Sequence, residues 1–303
     1  EQEDQARLDL AQLVAEGDRL AFSTDSYVID PLFFPGGNIG KLAICGTAND
    51  VAVSGAIPRY LSCGFILEEG LPMETLKAVV TSMAETARAA GIAIVTGDTK
   101  VVQRGAADKL FINTAGMGAI PANIHWGAQT LTAGDVLLVS GTLGDHGATI
   151  LNLREQLGLD GELVSDCAVL TPLIQTLRDI PGVKALRDAT RGGVNAVVHE
   201  FAAACGCGIE LSEAALPVKP AVRGVCELLG LDALNFANEG KLVIAVERNA
   251  AEQVLAALHS HPLGKDAALI GEVVERKGVR LAGLYGVKRT LDLPHAEPLP
   301  RIC

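Results

Sequence analysis

The sequence has 303 residues and 49% of them are hydrophobic, which is enough for two domains with separate cores. Lys and Arg number 25 against 36 acidic residues, so the net charge is -11. This balance, with no basic run interleaved with aromatic residues, argues against a nucleic-acid partner. It also means that a phosphate site must create its own positive field from backbone amides, a lysine or a metal.

Cysteine usage indicates a reducing compartment. There are seven cysteines, an odd number, and none forms a Cys-x-x-Cys pair, so neither a disulfide framework nor a zinc ribbon is predicted. The only close pair, Cys205 and Cys207, has apolar and glycine-rich neighbours typical of a helix end. No signal peptide or membrane-length apolar run occurs, and we therefore expect a cytoplasmic protein.

Helices and strands alternate in the first part of the chain. Apolar spacing predicts helices over 4–16, 38–55 and 72–90, and strands over 19–29, 60–67, 92–96 and 109–119. The helix over 72–90 has the clearest signals, because Pro72 suits a first turn and Gly91 suits a helix end.

A boundary between two domains is predicted in the segment from Pro121 to Gly134. The following strands are expected at 135–141, 183–187, 208–212, 241–247, 267–274 and 279–292, with helices near 146–157, 168–178, 194–205, 218–229 and 249–259. This alternation predicts an α/β fold or α+β sandwich. We expect an N-terminal domain over 1–133, a second domain over 134–290 and a tail over 291–303.

Four short acidic motifs fall where a predicted strand meets a turn. Their aspartates are Asp25, Asp50, Asp98 and Asp188. Magnesium prefers hard oxygen ligands, so aspartates from several loops could hold it together with a substrate phosphate. Gly97 and Thr99 flank Asp98, and Lys100 and Arg191 add positive charge. Each motif alone is ordinary turn chemistry, but the four together favour a metal–nucleotide site.

Other nucleotide signatures are missing, and two further places are of interest. Neither a P-loop nor a Gly-x-Gly-x-x-Gly run occurs. The segment around Gly144 and His146 follows an apolar strand and opens a helix, as loops do whose amides face an anion. His146 could contact a ligand or cap the helix. Glu239 precedes another apolar strand and is either a turn residue or a general base.

The chain ends in Cys303, after a segment that contains Pro294, Pro298 and Pro300. Proline disfavours helix, so we expect an extended, partly polyproline-like, flexible tail that reaches about 30 Å. A thiol at such a tip is either an incidental residue of a frayed terminus or a chemical handle.

These motifs, in this order, resemble the aminoimidazole-ribonucleotide synthetase-like (PurM-like) superfamily, which includes selenophosphate synthetase and thiamine-monophosphate kinase. The final Pro-Arg-Ile-Cys, with Asn-Glu-Gly and Gly-Asp-His-Gly, narrows the resemblance to the HypE family of hydrogenase maturation factors. It runs from about Phe22 to Cys303. This family usually begins with a glycine-rich segment that can close over the nucleotide, and the present sequence starts at Glu1 without it.

The resemblance implies a two-domain fold whose N-terminal strands form a barrel with a second protomer, and a site for ATP and Mg²⁺ near the domain and subunit junction. A carbamoyltransferase, HypF, would carbamoylate the terminal thiol. ATP-dependent dehydration would then yield a thiocyanate, whose cyano group passes to iron on a HypC–HypD scaffold for nickel–iron hydrogenase.

The resemblance also implies roles for residues. It makes Cys303, Lys100 and Glu239 catalytic. It assigns metal binding to Asp25, Asp50, Asp98 and Asp188, and nucleotide contacts to these four with Gly97, Thr99, Gly144, His146 and Arg191. Two alternatives are a superfamily kinase or synthetase for a free small substrate, and a carrier that only presents a modified thiol. The terminal cysteine argues against the first, and the acidic set with Lys100 and Glu239 against the second.

Overall fold

A computed structural model describes residues 5–159, 163–294 and 299–303. Its helices are α1 (Leu10–Glu16), α2 (Ile39–Ala52), α3 (Met73–Ala90), α4 (Asp145–Glu155), α5 (Thr171–Gln175), α6 (Gly193–Cys205), α7 (Pro220–Leu229) and α8 (Ala251–His259). Its strands are β1 (Arg19–Tyr27), β2 (Phe33–Phe34), β3 (Gly37–Asn38), β4 (Ile57–Glu68), β5 (Ala93–Val102), β6 (Leu110–Ile120), β7 (Val136–Val139), β8 (Val183–Asp188), β9 (Gly208–Ser212), β10 (Leu242–Val246), β11 (Ala268–Val274), β12 (Gly278–Ala282) and β13 (Lys288–Thr290).

The first sheet has four strands in the order β1-β6-β4-β5, and helices α2 and α3 cover one of its faces. Helices α2 and α3 pack together, and α2 lies against β1, β4 and β6. We call this covered side the inner face and the opposite side the outer face. Alternation along β1 turns Asp25 and buried Tyr27 inward, whereas Leu20 and Phe22 point outward and are 58% and 66% exposed.

The second sheet has seven strands in the order β13-β12-β9-β11-β7-β10-β8 and is packed on both faces. Its central strands β7 and β10 are buried at every residue. Leu137 and Val139 face the cluster that contains α6, while Val136 and Leu138 face the cluster that contains α5 and α8. Strands buried on both faces read as continuous apolar runs, which explains their clear signal in the sequence.

Helix α2 connects the two halves of the structure. Twelve of its 14 residues are buried, and its last residue, Ala52, joins the core beneath the second sheet. The buried Asn49 side chain accepts a hydrogen bond from Leu170 N (2.8 Å) and donates one to Ala168 O (3.0 Å). Asn49 is therefore a structural bridge between the two halves.

The predicted fold class, a two-domain mixture of helices and sheets, is confirmed, and most element positions agree with the structure within a few residues. The first helix starts later, at Leu10, because Asp9 caps it; residue 4 of that prediction lies outside the described residues. The helix predicted over 168–178 is only α5, five residues long.

The C-terminal strand prediction, 279–292, is also wrong in its extent. It divides into β12 and β13 around a turn at Gly283–Gly286. The small hairpin β2–β3 had no sequence signal. Across the described residues no helix combines the length and apolarity that a membrane crossing requires.

Candidate active site

A small cavity of about 50 Å³ lies between the inner face of the first sheet and the edge of the second. Asp25 reaches it from β1, Asp50 from α2, and Asp188 from the last position of β8. Six of the predicted site residues line this cavity: Asp25, Asp50, Asp188, Arg191, Glu239 and Cys303. Residues from five separate parts of the chain are thus brought together as the sequence motifs predicted.

The three aspartates are crowded and poorly solvated. Burial, and then the nearby Asp50 carboxylate, raises the pKa of Asp25 to about 6, although Arg191 acts in the opposite direction. Burial, and then Asp50, raises the pKa of Asp188 to about 7. Ser23 Oγ donates to Asp50 Oδ2 at 2.6 Å and fixes that carboxylate. The cavity therefore carries more negative charge than its surroundings offset.

Glu239 lines the same cavity, and two hydrogen bonds hold its main chain in place. Its amide donates to Asp166 Oδ1 (3.0 Å), and its carbonyl accepts from Ala168 N (3.3 Å). Its Oε1 is buried without a hydrogen-bond partner among the described residues. Burial, and then the charges of Asp166 and Asp188, raises the pKa of Glu239 well above its ordinary value. A buried carboxyl group with a raised pKa and an unpartnered oxygen beside a cavity is typical of functional sites.

The neighbouring residue, Asn238, explains how the loop before β10 is positioned. Its fully buried side chain donates to Ala189 O (2.9 Å) and Phe236 O (3.0 Å), and accepts from Gly144 N (2.7 Å). All of its hydrogen bonds are internal, so Asn238 ties the Glu239 loop to the end of β8 and to the start of α4.

The predicted metal set is not assembled within one chain. Asp25, Asp50 and Asp188 share the cavity, whereas Asp98 does not. Among the described residues no group of three or more His, Cys, Asp or Glu side chains is arranged to hold a metal ion. The three cavity aspartates nevertheless suit a hard cation, since burial and then repulsion from Asp50 raise the pKa values of Asp25 and Asp188.

Asp98 and Lys100 lie on the outer face of the first sheet. In the pairing of β4 with β5 they stand beside Gly64 and Ile66, and 67% and 70% of their side chains are exposed. Lys100 Nζ contacts Asp98 Oδ2 at 2.7 Å, and this bond lowers the pKa of Asp98. Because Asp25 projects from the inner face, the sheet itself separates the two groups.

Gly97 and Thr99 alternate with Asp98 along β5 and stand beside Cys63 and Phe65 on the inner face, but they do not line the cavity of the three aspartates. A Cβ at Gly97 would lie 2.2 Å from the carbonyl oxygen of Cys63 on β4. The glycine is thus required by close strand packing. Gly97 and Thr99 line a second cavity of about 560 Å³, between β5 and α3, and their assigned nucleotide contacts remain predictions.

The predicted anion loop at the start of α4 is corrected by the structure. The amide of Leu143 donates to Pro217 O, that of Gly144 to Asn238 Oδ1 and that of Gly147 to Ala237 O. Amides used within the protein cannot face an anion. His146 is fully buried and contacts the C-terminal segment instead of lining the cavity.

The tail prediction is corrected in part. Residues 295–298 lie outside the described residues, but the last five residues form a turn against the protein rather than an extended strand. Leu299 and Ile302 are buried, Arg301 adopts a φ of 54°, and Cys303 is half-buried at the cavity. The backbone amide of Val28 donates to Cys303 O at 2.9 Å.

Two functional neighbours had no signal in the sequence. Asp166 is buried, and Lys241 Nζ lies 3.2 Å from its Oδ2. Burial opposes ionisation of Asp166, but the charge of Lys241 and the hydrogen bonds from Lys241 and the Glu239 amide contribute to a net lowering of its pKa. This ionised acid both orients the Glu239 amide and raises the pKa of the Glu239 carboxyl. An isolated Ser-Asp-Cys run and an isolated lysine 75 residues apart carry no pattern that could predict the pair.

With this geometry established, comparison with known proteins identifies the family. Residues 2–120 match the N-terminal domain of the AIR synthase related proteins, and residues 132–283 match their C-terminal domain. A carbamoyl dehydratase HypE from Rhodobacter capsulatus is 50% identical over 99% of this chain and 89% of its own length. The chain belongs to the HypE family.

Solved HypE structures share the fold. Escherichia coli HypE has 98% sequence identity and a TM-score of 0.98, over 100% of this chain and 94% of that one. A HypE solved in complex with ATP has 46% identity and a TM-score of 0.94, over 99% and 90%. A HypE–HypF complex has 48% identity and a TM-score of 0.89, over 91% and 90%. The PurM-like two-domain fold expected from the sequence is confirmed.

Proposed function

We propose that this chain is an ATP-dependent carbamoyl dehydratase that converts a carbamoyl group on its own Cys303 into a thiocyanate, the source of a cyanide ligand for nickel–iron hydrogenase. The observation that supports this most directly is that Cys303 lines the same cavity as Asp25, Asp50, Asp188 and Glu239. Its relatives named carbamoyl dehydratase and the ATP complex of one of them support the same reaction class.

The reaction needs a phosphoryl group and two proton transfers. ATP phosphorylates the carbamoyl oxygen, which turns a poor leaving group into a good one. Loss of inorganic phosphate and of both nitrogen protons leaves a carbon–nitrogen triple bond on sulfur. One carbamoyl group and one ATP thus become one thiocyanate, ADP and phosphate, with one proton released. The protein must orient the carbamoylated cysteine, exclude water and move protons.

Glu239 is the proton-transferring group in this proposal. Burial, and then the charges of Asp166 and Asp188, raise its pKa and favour its protonated form. Magnesium held by Asp25, Asp50 and Asp188 would offset this charge and the charge of ATP phosphates. Glu239 would then ionise and accept a nitrogen proton as a general base. The unpartnered Oε1 is the atom available for that transfer.

Lys100 and Asp98 complete the site only if a second copy supplies them. The outer face that carries them is largely bare, and its exposed apolar side chains include Phe22 and Ile66. An uncovered sheet face with an open edge strand, β5, is suited to pairing with a twofold-related copy. We therefore propose a homodimer in which the outer faces meet and Lys100 serves the phosphoryl group.

The remaining partners follow from the chemistry. A carbamoyl donor must meet the thiol of Cys303, and the HypE–HypF complex of a relative supports HypF in this role. The thiocyanate must then pass its cyano group to iron, which we assign to a HypC–HypD scaffold. Both steps require the tail to leave the cavity.

Intact-mass spectrometry tests the proposal. The full chain is incubated with the carbamoyltransferase and carbamoyl phosphate, with or without magnesium-ATP. We expect the mass of one carbamoyl group to be added, and one water to be lost only when ATP is present, with both changes on the peptide that ends in Cys303. A carbamoylated chain that never loses water in ATP would contradict the function.

A further inference from the structure

The last four residues are held through their main chain. Arg154, near the end of α4, donates from Nη1 to Pro300 O (2.7 Å) and from Nη2 to Arg301 O. His146 Nε2 lies 2.8 Å from Ile302 O, and Val28 N donates to Cys303 O. Four consecutive carbonyl groups thus each have a donor from the body of the protein.

The hydrogen bonds of His146 define its tautomer. A carbonyl oxygen can only accept, so Nε2 carries the hydrogen that goes to Ile302 O. Nδ1 lies 2.7 Å from Ser165 Oγ, and because burial lowers the pKa of His146, the ring is neutral and Nδ1 accepts the serine hydrogen. Ser165 Oγ in turn accepts from Cys167 N at 3.2 Å.

We propose that His146 is a positioning residue for Cys303: in the tautomer set by Ser165 it holds the peptide group before the cysteine and so keeps the thiol at the carboxylate cavity. The imidazole is fully buried and packs edge-on against Phe34, with ring centroids 5.4 Å apart. A ring fixed on three sides defines where the tail ends. The inference rests on the proposed function of Cys303, and it assigns His146 to the tail instead of to the nucleotide.

The mode of recognition has a consequence for modified tails. The contacts use four carbonyl groups and the buried side chains of Leu299 and Ile302. The main chain and these two side chains therefore carry the recognition, and the main-chain contacts should persist when Cys303 is replaced by serine.

Two substitutions at His146 separate its hydrogen bonds. In His146→Gln the amide nitrogen can occupy the position of Nε2 and still donate to Ile302 O. In His146→Asn the shorter amide reaches only the position of Nδ1, so the bond to Ser165 survives and the bond to the tail is lost. His259→Asn is a matched control, because His259 Nε2 makes the same kind of bond, at 2.9 Å, to Ala267 O in another part of the protein.

The measurement is the rate at which a maleimide alkylates Cys303 in the full-length protein, read by mapping of the C-terminal peptide. We expect alkylation about fivefold faster in His146→Asn, the value for one lost hydrogen bond, and close to the native rate in His146→Gln and His259→Asn. Equal rates in His146→Asn and the native protein, or equal increases in both His146 variants, would overturn the proposal.

Amide hydrogen exchange at Val28 provides a second readout, since this amide is covered only while Cys303 O is in place. Cys303→Ser should keep native protection at Val28, and His146→Asn should lose about fivefold. Loss of protection in Cys303→Ser would contradict main-chain recognition. Neither readout requires ATP or a partner. A failure of dehydration with normal tail seating would therefore count against the proposed function, and altered seating with normal dehydration would count against the need for positioning.

Discussion

The two faces of the four-stranded sheet place the residues of the proposed site under opposite conditions. On the inner face, α2 buries Asp25 beside Asp50, and the pKa of Asp25 rises to about 6. On the outer face, Asp98 is exposed and paired with Lys100, and its pKa falls. The same residue type on the same sheet is thus kept partly protonated on one side and ionised on the other.

This difference indicates a division of labour. Buried acids of raised pKa are suited to proton transfer and cation binding, whereas an exposed lysine and aspartate are suited to meeting a charged ligand or another chain. The inner group lies within one chain and includes Cys303, the proposed substrate residue. On the outer face, the side chains of Asp98 and Lys100 are largely exposed to solvent. A composite site between two copies would bring Asp98 and Lys100 of one chain to the carboxylate cavity of the other. Substitutions on either face should then disrupt the same site.

Replacement of the substrate residue should have the largest effect. Cys303→Ser is expected to eliminate thiocyanate formation, because an alcohol is a far weaker nucleophile than a thiolate near neutral pH. The thermal midpoint should not change, since the half-buried thiol contributes little packing. Hydrogenase maturation assayed with the Ser variant, alongside its circular dichroism, checks both statements; full maturation would contradict the role of the thiol.

Glu239→Gln should slow dehydration by a factor of at least about 100, the usual effect of removing a general acid or base. Gln preserves the shape and cannot exchange a proton. Carbamoylation by the partner should continue, so that intact-mass spectra accumulate the carbamoylated chain. Appearance of the dehydrated mass at the native rate would reduce Glu239 to a turn residue.

Mixing two inactive variants tests whether the two faces come from different copies. Lys100→Ala and Glu239→Gln chains are each expected to be inactive. After dissociation and reassociation, half of the dimers carry one chain of each kind, and one of their two composite sites is intact. Activity should recover to about a quarter of the native value.

The outcome discriminates between two geometries. If each chain completes its own site, no mixture can recover activity, because every site then contains one defect. Light scattering on the native protein is the companion measurement, and a mass near the 31.5 kDa of one chain at micromolar concentration would contradict the dimer. Asp98→Asn should behave as Lys100→Ala does.

The smallest effect concerns stability and pH. Asp188 has a pKa of about 7 in the folded protein against an ordinary value of 3.8. Below pH 3.8 the carboxyl is protonated in both the folded and the unfolded chain, and the folded state is not destabilised. As pH rises through 7 the buried carboxyl must ionise, and that stability is lost. Asp188→Asn should therefore stabilise the protein at pH 8 by up to about 4 kcal/mol, or roughly 5 °C in the thermal midpoint, and have little effect at pH 4.

Asp166→Asn provides the contrasting control. Its pKa is lowered by Lys241, so the substitution leaves a buried ammonium without its partner and should destabilise the protein at pH 8. Thermal unfolding of both variants at pH 4 and pH 8 checks the signs. If Asp188→Asn destabilises the protein at pH 8, as Asp166→Asn should, then burial of the Asp188 carboxylate does not destabilise the fold.

Local patterns in the sequence were sufficient to predict most helices and strands and the aspartates of the inner cavity. The apolar runs of β7 and β10 and the Pro72–Gly91 boundaries of α3 reflect local rules. Asp25, Asp50 and Asp188 lay at strand and helix ends, where side chains from distant segments converge. Their motifs were informative because the turn residues that mark these ends in the sequence lie next to the aspartates.

What could not be predicted depends on long-range geometry. No local rule reveals that β5 turns Asp98 to the outer face, since that depends on the register with β4. The amides near Gly144 resembled an anion loop until Asn238, 94 residues away, was found to occupy one of them. The docked turn of the tail depends in the same way on Arg154 and His146, which a proline-rich sequence does not reveal.

The position of α2 has a consequence for how the molecule denatures. Its residues belong both to the core of the first sheet and, through Ala52 and the Asn49 bridge, to the base of the second. Neither sheet can lose its packing without exposing this apolar helix to water. The two halves, although each has its own sheet, should therefore melt in a single cooperative transition, with one calorimetric peak whose van't Hoff and measured enthalpies agree.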